Sequence, residues 1–162
     1  MSLRAARGQY RGVNQDWLDA YIEAWEVHPY AGGPDGADEL ARLIGFMHPA
    51  VRYEDVPSTM VFEGHDGIAQ MCAGAFQMSS DLRFEVVSRQ TDGRSFAFES
   101  VGNGTSTGAV GPLPPSGGPI VFRGIAVGSL SEDGLVTGHR DYWDMASLLI
   151  QLGVMPAPGF SA

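Results

Sequence analysis

The chain has 162 residues, 44% of them hydrophobic and 18% charged, which fits one globular domain with its own core. Its formal net charge is −9, and its 10 basic residues are all arginines scattered along the chain. No basic stripe is available for nucleic acid, no amine for Schiff-base or pyridoxal-type chemistry, and no apolar run approaches the ~20 residues of a membrane-spanning helix.

Met1 to Gly12 holds Arg4, Arg7 and Arg11 with no apolar segment behind them. It reads as a flexible arm (1–12) rather than a secretory signal, ahead of a single domain over 13–156 and a tail over 157–162. Val13 to His28 reads as a helix. Trp17, Leu18, Tyr21, Ala24, Trp25 and His28 recur at three- and four-residue spacing, with Asn14 as N-cap and Pro29, Gly32, Gly33 and Pro34 as the stop. Asp38 to Met47 reads as a second helix with Leu40, Leu43, Ile44 and Met47 as its apolar stripe. A strand is expected over Ala50 to Val56, with Val51, Tyr53 and Asp55 on one face and Arg52 and Glu54 on the other.

Gly64 to Met78 reads as a third helix. Four strands follow, over Leu82–Gln90, Arg94–Thr105, Ile120–Leu130 and Leu135–Asp144, and Met145–Leu152 closes the chain as a short helix. Asp92-Gly93 and Asp133-Gly134 are hairpin signals within the first and last pairs of strands. The Gly- and Pro-rich stretch Gly102–Pro119 reads as a long connection or flap. The order predicts an α+β fold: a curved, cone-shaped, mostly antiparallel sheet with the three helices of the first half packed on it. Cys72 is the only cysteine, so no intrachain disulfide forms and a cytoplasmic setting is expected. Within Ile68-Ala69-Gln70-Met71-Cys72 it reads as a buried hydrophobe rather than a nucleophile.

The second half carries a recognisable succession. Gly111-Pro112-Leu113-Pro114-Pro115-Ser116-Gly117 is followed by Phe122-Arg123-Gly124, Asp133-Gly134-Leu135-Val136 and His139-Arg140-Asp141-Tyr142-Trp143-Asp144. The first half adds His48-Pro49, Tyr53-Glu54-Asp55 and Gly64-His65-Asp66-Gly67-Ile68. This resembles the SnoaL-like polyketide cyclases over roughly residues 14–153. That family sits in a wider group (NTF2-like, ketosteroid isomerase-like) that includes epoxide hydrolases and non-catalytic transport factors, so fold alone does not give function.

The resemblance makes Asp141 the acid/base, a carboxylate expected against an apolar wall. Strand alternation puts Thr137, His139, Asp141 and Trp143 on one face, so His139 and Trp143 are expected to flank it. Asp55 falls where ketosteroid isomerases hold their general base; capping the turn before Pro57 is the other reading. Tyr21 falls near the tyrosine that donates to the oxyanion in those enzymes, and it and Trp25 also read as core aromatics. Tyr53 is expected to face the same pocket.

His48 reads as a cation at a helix end, and His65 and Asp66 as caps of the third helix. His28, His48, His65 and His139 show no ligand spacing, so no metal is expected, and no cofactor is implied. The arginine and second aspartate of limonene-epoxide hydrolases fall at about Ser100 and Gly102, and the second oxyanion donor of ketosteroid isomerases at about Ala126. These absences favour the cyclase branch. Gly102, Gly104, Gly124 and Gly128 suggest an open cone floor for a multi-ring or long-chain substrate, a reading that a plug of Phe96, Phe98, Phe122 and Trp143 would overturn.

The expectation is therefore a cofactor-free acid/base enzyme on a polyketide-like or other carbonyl-rich small molecule, by aldol-type cyclisation or a related isomerisation or hydration. The alternatives are a non-catalytic binding or dimerisation module and a remnant epoxide-hydrolase-like enzyme. A homodimer is implied by the resemblance, with neither nucleic acid nor membrane as partner.

Overall fold

The computed structural model of the chain describes residues 13–26, 34–111 and 113–159. The expected arm 1–12, the helix end at His28 with its stop at 29–33, Pro112, and the end of the tail at 160–162 lie outside the described residues. In chain order the elements are α1 (Gln15–Glu26), α2 (Pro34–Ile44), β1 (Met47–Asp55), β2 (Met60–Glu63), α3 (Gly64–Met78), β3 (Arg83–Thr91), β4 (Ser95–Thr105), β5 (Pro119–Leu130), β6 (Val136–Trp143) and α4 (Met145–Gln151).

The six strands form one sheet in the order β2-β1-β6-β5-β4-β3. β3 to β6 are the expected antiparallel meander, and β1 joins its far side parallel to β6. Register shifts between Val86 and Ser88, between Ser129 and Leu130, and between Met47 and Arg52 bend the sheet, because a bulge adds local twist. The hairpins close where the sequence signals them. Asp92 accepts from the backbone N–H groups of Arg94 and Ser95 at 2.9 and 2.7 Å, and Gly93 and Gly134 take positive φ.

Asn14 caps α1 as expected, its Oδ1 accepting from Trp17 N at 3.0 Å. The apolar face of α1, Leu18, Tyr21, Ile22 and Trp25, packs into a core with Leu43, Val51, Ile68 and Phe96. Burying each such side chain contributes about 1.5–3 kcal/mol. Cys72 lies in the same core, where burial pushes its thiol up to about 12, so it is an inert hydrophobe.

Several expected boundaries move. α2 begins at Pro34 and ends at Ile44 instead of running from Asp38 to Met47. Proline suits a first helical turn, where no N–H is needed. Met47 belongs to β1, because Val136 N donates to Phe46 O at 2.9 Å and draws this stretch alongside β6. His48 is therefore not a helix-end cation: it lies in the strand, where its Nδ1 accepts from Ala50 N at 3.1 Å. His65 does not cap α3 either. Its Nε2 donates to Met47 O at 3.1 Å, and the N-cap residue is Glu63. β2, four residues long, is too short for alternation to signal.

Gly102–Thr105 and Pro119 are strand, so the connection is 106–118. It is pinned against the C-terminus of α3, with Thr107 N and Gly108 N donating to Met78 O at 3.2 and 3.0 Å. A Cβ at Gly108 would lie 1.6 Å from Gln77 O, so glycine alone allows this approach. Asp81 accepts from both Thr105 N and Thr105 Oγ1 at 2.7 Å, bonds that hold its carboxyl below the usual range.

Candidate active site

The concave side of the sheet, α1, α3 and the 106–118 connection enclose a cavity of about 570 Å³. The parallel register of β1 and β6 decides what meets on its wall. Tyr53 lies opposite His139 and Asp55 opposite Asp141. Tyr53 and His139 stack at 5.0 Å and 17°. His139 is 2% exposed and enclosed further by Trp25, Phe96 and Phe98.

A chain of hydrogen bonds runs through this imidazole to Asp141. Tyr21 Oη is 2.7 Å from His139 Nδ1, and His139 Nε2 is 2.9 Å from Asp141 Oδ1. Tyr53 donates its hydroxyl to Asp141 Oδ2. With Asp141 as a carboxylate, the network assigns the imidazole proton to Nε2 and leaves Nδ1 to accept from Tyr21. Tyr21 is fully buried. Burial holds its phenol well above the ordinary value, against a smaller opposing effect of the Trp25 indole, so Tyr21 stays protonated as the donor.

The second carboxylate is separately held. Asp55 Oδ1 accepts from Trp143 Nε1 at 2.9 Å and from Ser58 N at 3.2 Å. Asp55 thus lines the cavity and, through Ser58 N, braces the turn after β1 at once.

Asp141, Asp55, Trp25, Tyr53, His139 and Trp143 all line the cavity. Three expectations change in detail. Tyr21 does not reach the cavity wall; it stands behind His139, and an oxyanion in the cavity would meet other groups. Trp143 does not flank Asp141 through its indole, which is committed to Asp55. Asp141 meets hydrogen-bond donors at both oxygens rather than a purely apolar wall.

The glycine-floored cone is also corrected. A Cβ on Gly102 would lie 2.5 Å from the Phe122 ring, one on Gly128 2.1 Å from Phe96, and one on Gly124 3.1 Å from Trp143. Each glycine is the cross-strand partner of the aromatic residue that covers it. The missing side chains make room for rings rather than ligand. The rings do not plug the cone: Phe98, Phe122 and Trp143 line a cavity that stays open, while Phe96 packs into the core.

Glu26 and Ser58, which no sequence pattern singles out, also line the cavity, as does the 109–111 part of the expected flap. Glu26 follows directly on Trp25; its carboxyl is raised by burial and by Glu23. Ser100 and Ala126, where the resemblance looked for an arginine and a second oxyanion donor, both line the wall without charge. Among the described residues no group of three His, Cys, Asp or Glu is placed to hold a metal ion, and no helix is long and apolar enough to cross a membrane.

A curved mixed sheet wrapped on helices around one cavity defines the NTF2-like, ketosteroid isomerase-like class. Within it the chain belongs to the SnoaL-like polyketide cyclase family, whose family model matches residues 16–152. TsrD from Streptomyces laurentii superposes with a TM-score of 0.73 at 20% identity, over 88% of this chain and 98% of that one. AclR, a candidate hydroxylase from Streptomyces galilaeus, gives 0.68 at 20% identity over 88% and 82%. A candidate SnoaL-like polyketide cyclase from Jannaschia sp. CCS1 gives 0.69 at 18% identity over 85% and 94%. At these identities the likeness is one of fold. No curated protein sequence matches the chain significantly.

Proposed function

We propose that the protein is a cofactor-free acid/base catalyst that closes a ring on a polyketide-like, carbonyl-rich small molecule by an intramolecular aldol reaction. The observation that carries this reading is the Asp141 carboxylate. Its side chain is 30% exposed on the wall of a largely apolar cavity and is aimed by donors from two other side chains. The cavity volume lies within the range of small-molecule sites and suits a multi-ring ligand.

In this mechanism Asp141 takes a proton from the carbon between two carbonyls. The resulting enolate carbon attacks a third carbonyl of the same molecule, forming the C–C bond and an alkoxide. Asp141 then returns the proton to the new alkoxide, which balances the reaction without a co-reactant. His139, fixed by Tyr21, and Tyr53 keep the carboxylate in one rotamer so that the reacting carbon meets it in a near-attack geometry. Asp55 and Trp25 orient the substrate. A second copy of the chain associates through the outer sheet face, where Val121, Ile125 and Tyr142 are exposed. The single buried cysteine suits a cytoplasmic setting.

The test is proton exchange. An anthraquinone-type β-keto ester incubated with the protein in D2O is expected to lose its α-proton signal ahead of ring closure, followed by NMR and mass spectrometry. Binding without exchange would overturn the reading and make the protein a carrier or sensor with the same cavity.

A further inference from the structure

The formal charges on the cavity wall have one sign. Glu26, Asp55 and Asp141 line it, and none of the described arginines does. The ion pairs of Arg42 with Glu23, Arg52 with Glu54 and Arg89 with Asp19 are made with other carboxylates, and Arg89 acts on Glu26 only as a more distant charge off the wall. Among the described residues the only basic ring on the wall is His139, which already donates to Asp141.

Asp55 keeps one carboxylate oxygen free for a ligand. Its Oδ1 is taken by Trp143 and Ser58, and among the described residues no donor reaches its Oδ2. Aromatic faces stand close by: Trp143 is paired with Phe122 at 5.4 Å between ring centres. Trp25, 7% exposed, adds its ring to the same wall.

Carboxylates facing an apolar wall have lost part of their hydration. A ligand cation restores that loss and gains from the ring faces, whereas a ligand anion adds repulsion. We infer that the cavity selects for a cation: its ligand carries a protonated amine on an aromatic or polycyclic carbonyl skeleton, with the ammonium beside Asp55 and the rings against Phe98, Phe122 and Trp143. This rests on the reading of the cavity as the substrate site and narrows the class of molecule it takes.

Three probes with one skeleton test it at pH 7 by quenching of anthracene or tryptophan fluorescence: 9-anthracenylmethylamine, 9-anthracenemethanol and 9-anthracenecarboxylate. The amine is expected to bind about tenfold more tightly than the alcohol, and the carboxylate about tenfold more weakly. In Asp55→Asn the amine-to-alcohol ratio falls about tenfold; Glu26→Gln, at the cavity edge, provides a second variant in which the ratio also falls. Thermal unfolding checks that each variant is folded. A carboxylate that binds as tightly as the alcohol, a ratio unchanged in both variants, or no binding by any probe would overturn the inference. No probe has an acidic carbon next to a carbonyl, so the charge order is independent of turnover. If deuterium exchange fails while that order holds, the catalytic reading falls and the cation selectivity stands.

Discussion

Asp141→Asn is expected to lower turnover by roughly 10²- to 10⁴-fold, the usual size of a positioned acid/base, while leaving a folded protein that still binds substrate. Asparagine keeps the shape of the side chain but cannot take up the proton. The effect on folding is smaller for a reason visible in the network. The amide oxygen of the variant can still accept from His139 Nε2, and the Tyr53 hydroxyl can rotate from donating to accepting opposite the new amide nitrogen. The cost is then about that of one hydrogen bond, ~1 kcal/mol. Turnover and Kd for the same substrate, with a urea midpoint for each protein, separate the two effects. A fall in kcat of less than about tenfold would move the acid/base role off Asp141.

Gly128→Ala is expected to destabilise the fold by about 3 kcal/mol, the upper end for overpacking a core. A single methyl group there would sit 2.1 Å from Phe96 Cζ and 2.8 Å from the backbone oxygen of Gly138. The carbonyl cannot move without disturbing the β5–β6 ladder. Phe96 cannot swing aside either, because Trp17, Tyr21, Phe98 and His139 surround its ring at 5.2 to 6.2 Å. Gly74→Ala supplies the opposite sign. Gly74 is a position inside α3 with nothing within 4 Å of an added Cβ, and alanine there is expected to stabilise by about 0.5–1 kcal/mol. Denaturant midpoints of the two variants measure both. Equal effects would mean that Phe96 repacks freely and that the ring over Gly128 is not held.

The two sites differ in how far each was readable beforehand. A glycine inside a helix is visible as such in the sequence, and so is its cost. A glycine inside a strand shows only that space is wanted. Which side chain takes the space depends on the residue opposite, and β4 and β5 set that through their register. For this reason the sequence suggested room for a ligand where the fold has stacked aromatic rings.

Local pattern alone determined the bounds of α3, the succession of four closing strands and the hairpins at Asp92-Gly93 and Asp133-Gly134. Each is written within one element or one turn. Alternation along β6 was enough to put His139, Asp141 and Trp143 on one face, and the family resemblance singled out the aspartate among them. Tertiary structure decided how these side chains are connected. Trp143 reaches Asp55 across 88 positions of sequence, and Tyr21 reaches His139 across 118. Those partners follow from the parallel pairing of β1 with β6 and from the seating of α1 on the sheet. Periodicity places a residue on a face; only the packing of distant elements fixes which donor meets which acceptor.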